Sequence, residues 1–238
     1  MSRDKTVVVT GATSGIGAAI CQAFAAADVV LFPVGRNPRK LAATARRIPA
    51  RQLAGTGLAD LGSADDVAGV IEQIRQRLAR LDVLVLAAGE YAWTELGDAS
   101  ADAFDSQFNI NVRGPYLLVQ GLMPLIAKVG GQIILVNSSI VRTNGEGVAL
   151  FKATQHALQG LADSLRQDLN RHGVRVTSLY PGQTATPRMR RIYARRGARY
   201  TPRALLNVRD IAELAVALTR LPVTMEVTDI HVRSPRRY

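Results

Sequence analysis

Cysteine is almost missing from this chain: one thiol, Cys21, stands among 238 residues. A single cysteine closes no internal disulfide, which excludes a disulfide-stapled fold and suits a reducing, cytoplasmic setting. Long apolar runs are missing too. None approaches the ~20 residues a helix needs to cross a bilayer, so no membrane span is expected. The first residues, MSRDKTVVVTGA, lack the apolar stretch of a secretory signal, and no leader is expected. No period of 20–50 residues repeats, so a solenoid is not expected. No metal site is expected either. Lysine and acids are scarce: Lys+Arg number 30 against 19 Asp+Glu, a net charge of +11, and only four of the basic residues are lysines. Seven arginines, from Arg188 to Arg203, lie in one stretch without an acid. Such a stretch raises nucleic acid as a partner. It offers only two tyrosines for stacking, however, so no nucleic-acid partner is expected.

What is present alternates between two patterns. Thr6–Val9 is a β-branched run, Gly15–Ala27 is alanine-rich and helical, and Val29–Val34 is apolar again. A basic helix near Pro38–Arg47 and a short strand near Leu53–Leu58 follow. A helix over Ser63–Arg80 has Ser63 as N-cap and acids in its first turn. Leu81–Ala87 is a continuous apolar run, as a strand covered on both faces requires. Asp102–Lys128 reads as a long helical region with kinks at Gly114-Pro115 and Pro124. Then come a strand at Gln132–Val136, a helix at Ala149–Arg171, a strand at Val174–Leu179, a helix at Val208–Arg220 and a last strand at Glu226–Val232. Seven strands with helices between most of them predict an α/β fold, a doubly wound parallel sheet with helices on both faces. No linker divides the chain, so residues 1–238 are expected to form one domain, and a chain of this length buries roughly 70–75% of its unfolded surface. Pro33 removes a ladder donor from an inner strand, which predicts a local irregularity there.

The segment Thr10-Gly11-Ala12-Thr13-Ser14-Gly15-Ile16-Gly17 follows the first strand and opens the first helix. Glycines there permit a tight turn and let backbone N–H groups approach a diphosphate at the positive helix end. The strand–loop–helix context is the one a dinucleotide site demands.

TGATSGIG resembles the TGxxxGIG loop of the short-chain dehydrogenase/reductase family, a single-domain Rossmann fold, and the resemblance covers nearly the whole chain. Asp60-Leu61 in GLADL falls where that family contacts adenine. Leu86-Ala87-Ala88-Gly89 resembles its NNAG motif, with Ala88 and Gly89 retained and both asparagines replaced. Asn111 in NINVRGPY resembles the active-site Asn of its long helix. Pro181-Gly182, with Thr184 and Thr186, resembles the stretch that faces the nicotinamide, and EVTDIHVRS resembles the final strand. The resemblance thus implies a cofactor cradle of Gly11, Thr13, Ser14, Gly15, Ile16, Gly17, Asp60, Leu61, Ala88, Gly89, Pro181, Gly182, Thr184 and Thr186. Charge addresses which cofactor. A site for NAD(H) places an acid after the second strand, and a site for NADP(H) an arginine. This chain reads Val34-Gly35-Arg36-Asn37, so NADP(H) is favoured over NAD(H), with Arg36 at the 2′-phosphate.

The family's chemistry uses Ser, Tyr, Lys and Asn. Counted from Gly130-Gly131, the Ser falls on Ser138, the Tyr on Phe151 and the Lys on Gln155. FKATQHALQG aligns without a gap on YxASKxALxG. Lys152 is no substitute, since it lies about 100° around the helix from Phe151. A positioned general acid is worth 10²–10⁴-fold, roughly 3–5 kcal/mol of barrier, so its replacement matters. Three readings stay open. One is an atypical oxidoreductase acting on a small-molecule carbonyl or alcohol, with the proton donor relocated to Tyr91, Tyr193, Tyr200, water or the substrate. A second is non-redox chemistry on the same fold: dehydration, isomerisation or cyclisation. A third is cofactor binding without turnover. Tyr91 and Trp93 are expected to pack at the pocket rim, His156 to pack or sit at an interface, and Glu90 and Glu146 to be solvated, with either open as a base. The segment Pro187–Arg203 is expected to cover the substrate, whose identity the residues do not give. Its arginines suit an anionic or carrier-bound small molecule. The family resemblance further implies a homodimer or homotetramer, formed through the helices of Asp102–Lys128 and Ala149–Arg171.

Overall fold

In the computed structural model, which describes residues 5–235, the apolar runs pair as one parallel sheet. The reading of the N-terminus as free of a leader falls partly on residues 1–4, outside the described residues. The strands are β1 (Thr6–Val9), β2 (Val30–Gly35), β3 (Gly57–Leu58), β4 (Val83–Leu86), β5 (Gln132–Val136), β6 (Arg175–Pro181) and β7 (Asp229–Val232), in the order β3-β2-β1-β4-β5-β6-β7. The order reverses between β1 and β4, and the crevice at the carboxyl ends of those strands is where such sheets bind ligands.

Helices cover both faces. α1 (Gly15–Ala26), α2 (Pro38–Ala45) and α8 (Val208–Leu218) lie on one. α3 (Ala64–Arg77), α5 (Gly114–Ala127) and α6 (Ala149–Leu169) lie on the other. The strand alternation sends Val7 and Val9 toward Ile20, Phe24 and Ile211, and sends Val8 toward Ile74, Leu118 and Leu158. Cys21 is buried in α1, and burial pushes its thiol up to about 12, which removes it as a nucleophile. Among the described residues no helix is long and apolar enough to cross a membrane.

Pro33 produces the irregularity expected of it, and the reason is visible in the ladder. The carbonyls of Leu31 and Gly35 accept from Ala54 (2.9 Å) and Ala59 (3.2 Å), both on the β3 side. Pro33 has the same parity, so its missing N–H faces that side. There β2 and its neighbour pair at Leu31↔Leu53 and again only at Val34↔Gly57. The neighbour carries one extra residue across the gap, and the strand expected over Leu53–Leu58 shrinks to two residues.

Two expectations need correction. The long helix over Asp102–Lys128 is α4 (Ala101–Phe108), a π-helical turn at Asn109–Arg113, and then α5. Pro115, at the start of α5, has no N–H to continue the α-helical ladder, and the wider turn sits just before it. The segment after β6 is not a plain cover. It holds α7 (Pro187–Arg195), capped by Thr186, whose hydroxyl accepts from the Met189 N–H at 3.1 Å.

Candidate active site

The glycine loop is shaped by contacts that only glycine permits. Gly11 has φ +68°, and a Cβ there would stand 2.8 Å from the backbone of Ala87 and Ala88. A Cβ on Gly17 would stand 2.4 Å from the Gly11 carbonyl oxygen. The Thr10 hydroxyl oxygen accepts from the N–H groups of Ala87 and Ala88, both at 3.1 Å, which ties the loop to the chain leaving β4. The Ser14 side chain caps none of the first N–H groups of α1, and no acid lies in its first turn. Those donors are therefore left for an anion. A Cβ on Gly15 would meet the Thr186 methyl at 3.3 Å, so the N-termini of α1 and α7 come together. This cradle fits the diphosphate of a dinucleotide. Thr13 lies against Gly35, where a Cβ would clash with its methyl at 2.4 Å.

Arg36 follows that glycine at the end of β2. Its nearest acids are distant, Asp60 at 3.8 Å and Glu90 at 3.9 Å, and its side chain is 59% exposed. Pairs this long and open contribute little, so the guanidinium remains able to take a phosphate. Asp60 accepts from the Gly62 N–H at 3.0 Å, which fixes the turn after β3. Leu61 turns its side chain into the core, leaving only its backbone toward a ligand. Pro181 ends β6, and the Gly182 N–H donates to the Val232 carbonyl at 2.7 Å. Thr184 is buried and donates to the Gly182 carbonyl at 2.9 Å.

Around the start of α6 the expected residues divide. Ser138 caps a 3₁₀ turn by accepting from the Ile140 N–H at 3.2 Å, which leaves its own O–H free to donate. Asn111, in the π-helical turn, is buried and committed. Its oxygen accepts from the Glu90 N–H (2.7 Å), and its amide hydrogens go to the Glu90 carbonyl (2.9 Å) and the Thr154 hydroxyl (3.0 Å). It positions the loop after β4 and keeps no amide hydrogen for a substrate. Lys152 turns away to the Thr143 carbonyl and Asn144. Gln155 is buried, and its carbonyl accepts from Asn137 at 3.0 Å.

Phe151 is covered by Tyr91. The two rings meet edge to face with centroids 4.9 Å apart. Arg196 donates a long hydrogen bond, 3.5 Å, to the Tyr91 hydroxyl. Burial raises the Tyr91 phenol above its ordinary value, and Arg196 pulls it partly back. Tyr193 is engaged elsewhere: its hydroxyl donates to Gln183 at 2.7 Å and its ring meets Tyr200. Trp93 does pack at the rim, as expected. Its indole N–H donates to the Glu146 carbonyl at 3.0 Å, and a Cβ on Gly147 would collide with its ring at 2.2 Å. His156 is exposed rather than packed within the chain.

Glu90 is the corrected residue of this group. It was expected to be solvated, but it is half-buried in a cavity of about 240 Å³ between the loop after β4 and α7. The asparagine pin at its backbone holds it there. Arg188 crosses the same cavity to the Gly89 carbonyl. The positioning residues Asn137, Thr154 and Gln107 were missed in the sequence because each acts through a backbone bond that no motif records. Among the described residues no three His, Cys, Asp or Glu side chains gather as metal ligands would.

Comparison with known proteins fits this geometry. Residues 5–197 match the short chain dehydrogenase family. An uncharacterized oxidoreductase of Staphylococcus saprophyticus is 28% identical over 234 residues, 97% of each chain. An oxidoreductase of Sarocladium schorii is 32% identical over 184 residues, 76% of this chain and 73% of its own. Among solved structures, a metagenomic short-chain oxidoreductase in complex with NADP superposes with a TM-score of 0.83 at 26% identity, covering 98% of each chain. An alcohol dehydrogenase from Thermococcus sibiricus, complexed with 5-hydroxy-NADP, has the same fold, with a TM-score of 0.87 at 22% identity over 98% of each chain.

Proposed function

This chain belongs to the short chain dehydrogenase family, and from that premise we propose that it is an NADP(H)-dependent oxidoreductase of small-molecule carbonyls or alcohols that works without the family's Tyr/Lys pair. The observation that carries this reading is the contact between Tyr91 and Phe151. It supports a phenol supplied from the loop after β4 to the place where position 151 has none.

The cofactor assignment rests on the uncapped α1 terminus, the glycine contacts and Arg36 without a close acid. NADP in a structural relative supports it further. When bound, a reduced nicotinamide would supply hydride. The chain's own residues handle the proton. Carbonyl reduction adds one hydride to carbon and one proton to oxygen. Tyr91 is protonated at neutral pH, as a proton donor must be. The Arg196 charge, 3.5 Å from the phenol oxygen, stabilises the phenolate left behind. Ser138 has an O–H free to donate to the carbonyl oxygen.

A second reading has one observation in its favour: Glu90 lies in the cavity and is pinned by Asn111, as a base for isomerisation or dehydration would be. One experiment separates the two. NADPH absorbance is followed while a panel of carbonyl compounds with anionic ends is tested, and products are analysed in parallel. Cofactor oxidation coupled to alcohol formation is the expected result. Product without cofactor consumption supports the second reading, and the absence of both outcomes overturns both.

A further inference from the structure

α7 is unusual for a helix beside a ligand crevice, because none of its residues is buried. It carries four arginines among nine residues and no acid in its first turn. Arg188, Arg191 and Arg195 recur at i, i+3 and i+7, so these side chains share one helix face. That face lines the cavity of about 240 Å³, opposite Tyr91 and Trp93, and Arg196 at the C-cap lines the same cavity. Arg190 lies off this face and does not line the cavity.

The charges in the cavity do not balance. Four guanidinium groups of this segment, together with Arg36, line it with one carboxylate, Glu90. Like charges on successive turns repel one another, and α7 buries no side chain fully in the core to offset that cost. An oxyanion between them removes the repulsion, and guanidinium forks match phosphate and carboxylate oxygens in pairs. The volume lies below the roughly 300–1,000 Å³ of a site for a whole drug-sized ligand, so the cavity suits one end of a molecule.

We infer that this arginine face is a subsite for a multiply charged oxyanion end of the substrate, a phosphate ester, diphosphate or polycarboxylate. It rests on the oxidoreductase reading above and deepens it, since the same cavity carries Tyr91. The carbonyl at Tyr91 is thereby tethered through a remote anionic group, whose binding orients the reacting carbon.

Trp93, the chain's one tryptophan, lines the cavity and reports on it. Its fluorescence is titrated with inorganic pyrophosphate and with citrate, at low and high salt, with and without saturating NADP⁺. At least one probe is expected to give a saturable change that persists with NADP⁺ bound. High salt should weaken it about tenfold, and Arg191→Ala/Arg195→Ala should weaken it by at least as much. The same double variant should keep its NADP⁺ affinity and its melting temperature, because these side chains support no core. Arg190→Ala should change nothing. Tighter pyrophosphate identifies a phosphorylated end, and tighter citrate a polycarboxylate. The inference is overturned if neither probe binds, or if Arg190→Ala weakens binding as much as the double variant. It is overturned as well if NADP⁺ displaces the probe and the double variant loses NADP⁺ affinity in step, which would assign the cluster to the cofactor. Probe binding in a protein that takes up no NADP⁺ would leave the subsite standing and defeat the oxidoreductase reading instead.

Discussion

The proposed choice of cofactor rests on the charge at position 36. An arginine there, with acids no closer than 3.8 Å, presents a fork to a 2′-phosphate, where an acid would repel it. NADPH should bind more tightly than NADH, and Arg36→Asp should narrow or reverse the preference. Fluorescence titration of both cofactors checks this, and equal affinities in the parent protein contradict it. Tyr91 makes a second prediction at this scale. Its phenol is raised by burial, so it holds its proton well beyond neutrality. Reduction needs that proton, so the rate should stay level between about pH 6 and about pH 9 and fall only at higher pH. Oxidation of the alcohol needs the phenolate and should rise over the same range. A rate–pH profile in each direction tests the sign, and a reduction rate that falls with a midpoint near neutrality argues against Tyr91. The sequence alone puts Phe151 and Gln155 where the resemblance expects Tyr and Lys, and it singles out Tyr91 as a replacement donor beside Tyr193, Tyr200, water and the substrate. What it did not carry is the ring contact of Tyr91 with Phe151 and the bond from Tyr193 to Gln183, because both join segments far apart in the chain.

Among the elements, those buried on both faces were the most readable. β1 and β5 lie where their apolar runs place them, because a central parallel strand has no polar face to blur its edges. β3 was overestimated because Pro33 acts on its neighbour, across the sheet. The break at Gly114-Pro115 was legible from the proline, but the π-helical form of the turn just before it was not. α7 was missed for lack of an apolar stripe, although Thr186-Pro187, an N-cap followed by proline, marks its start. The join between α6 and the far edge of the sheet rests on a buried arginine that no pattern announces. Arg166, 9% exposed, donates to the carbonyls of Val176 (3.0 Å) and Thr228 (2.8 Å) and pairs with Asp163 and Asp229. Arg166→Ala strands those carbonyls and should cost about 3 kcal/mol. Thermal melting should show a loss of roughly 6–12 °C, and an unchanged melting temperature would remove this residue from the account.

At the scale of the whole molecule, the parallel sheet and both helical layers follow from the alternation of patterns. The assembly does not. Phe104, Phe108 and Tyr116 on α4 and α5 are 40%, 37% and 44% exposed, an apolar cost for a lone subunit in water. Two of these rings stack on each other at 6.1 Å. We propose that this helical region joins copies of the chain as a homodimer or homotetramer. Light scattering at micromolar concentration should give a multiple of the subunit mass, and Phe104→Asp/Tyr116→Asp should lower it. A parent protein that scatters as a monomer contradicts the proposal.

The central claim is that the proton passes through Tyr91, and turnover of Tyr91→Phe beside the parent tests it most directly. On the carbonyl substrate that the panel identifies, kcat followed by NADPH absorbance should fall about 10²–10⁴-fold, while the NADPH dissociation constant stays the same. Turnover equal to the parent's, at equal cofactor affinity, would contradict the account.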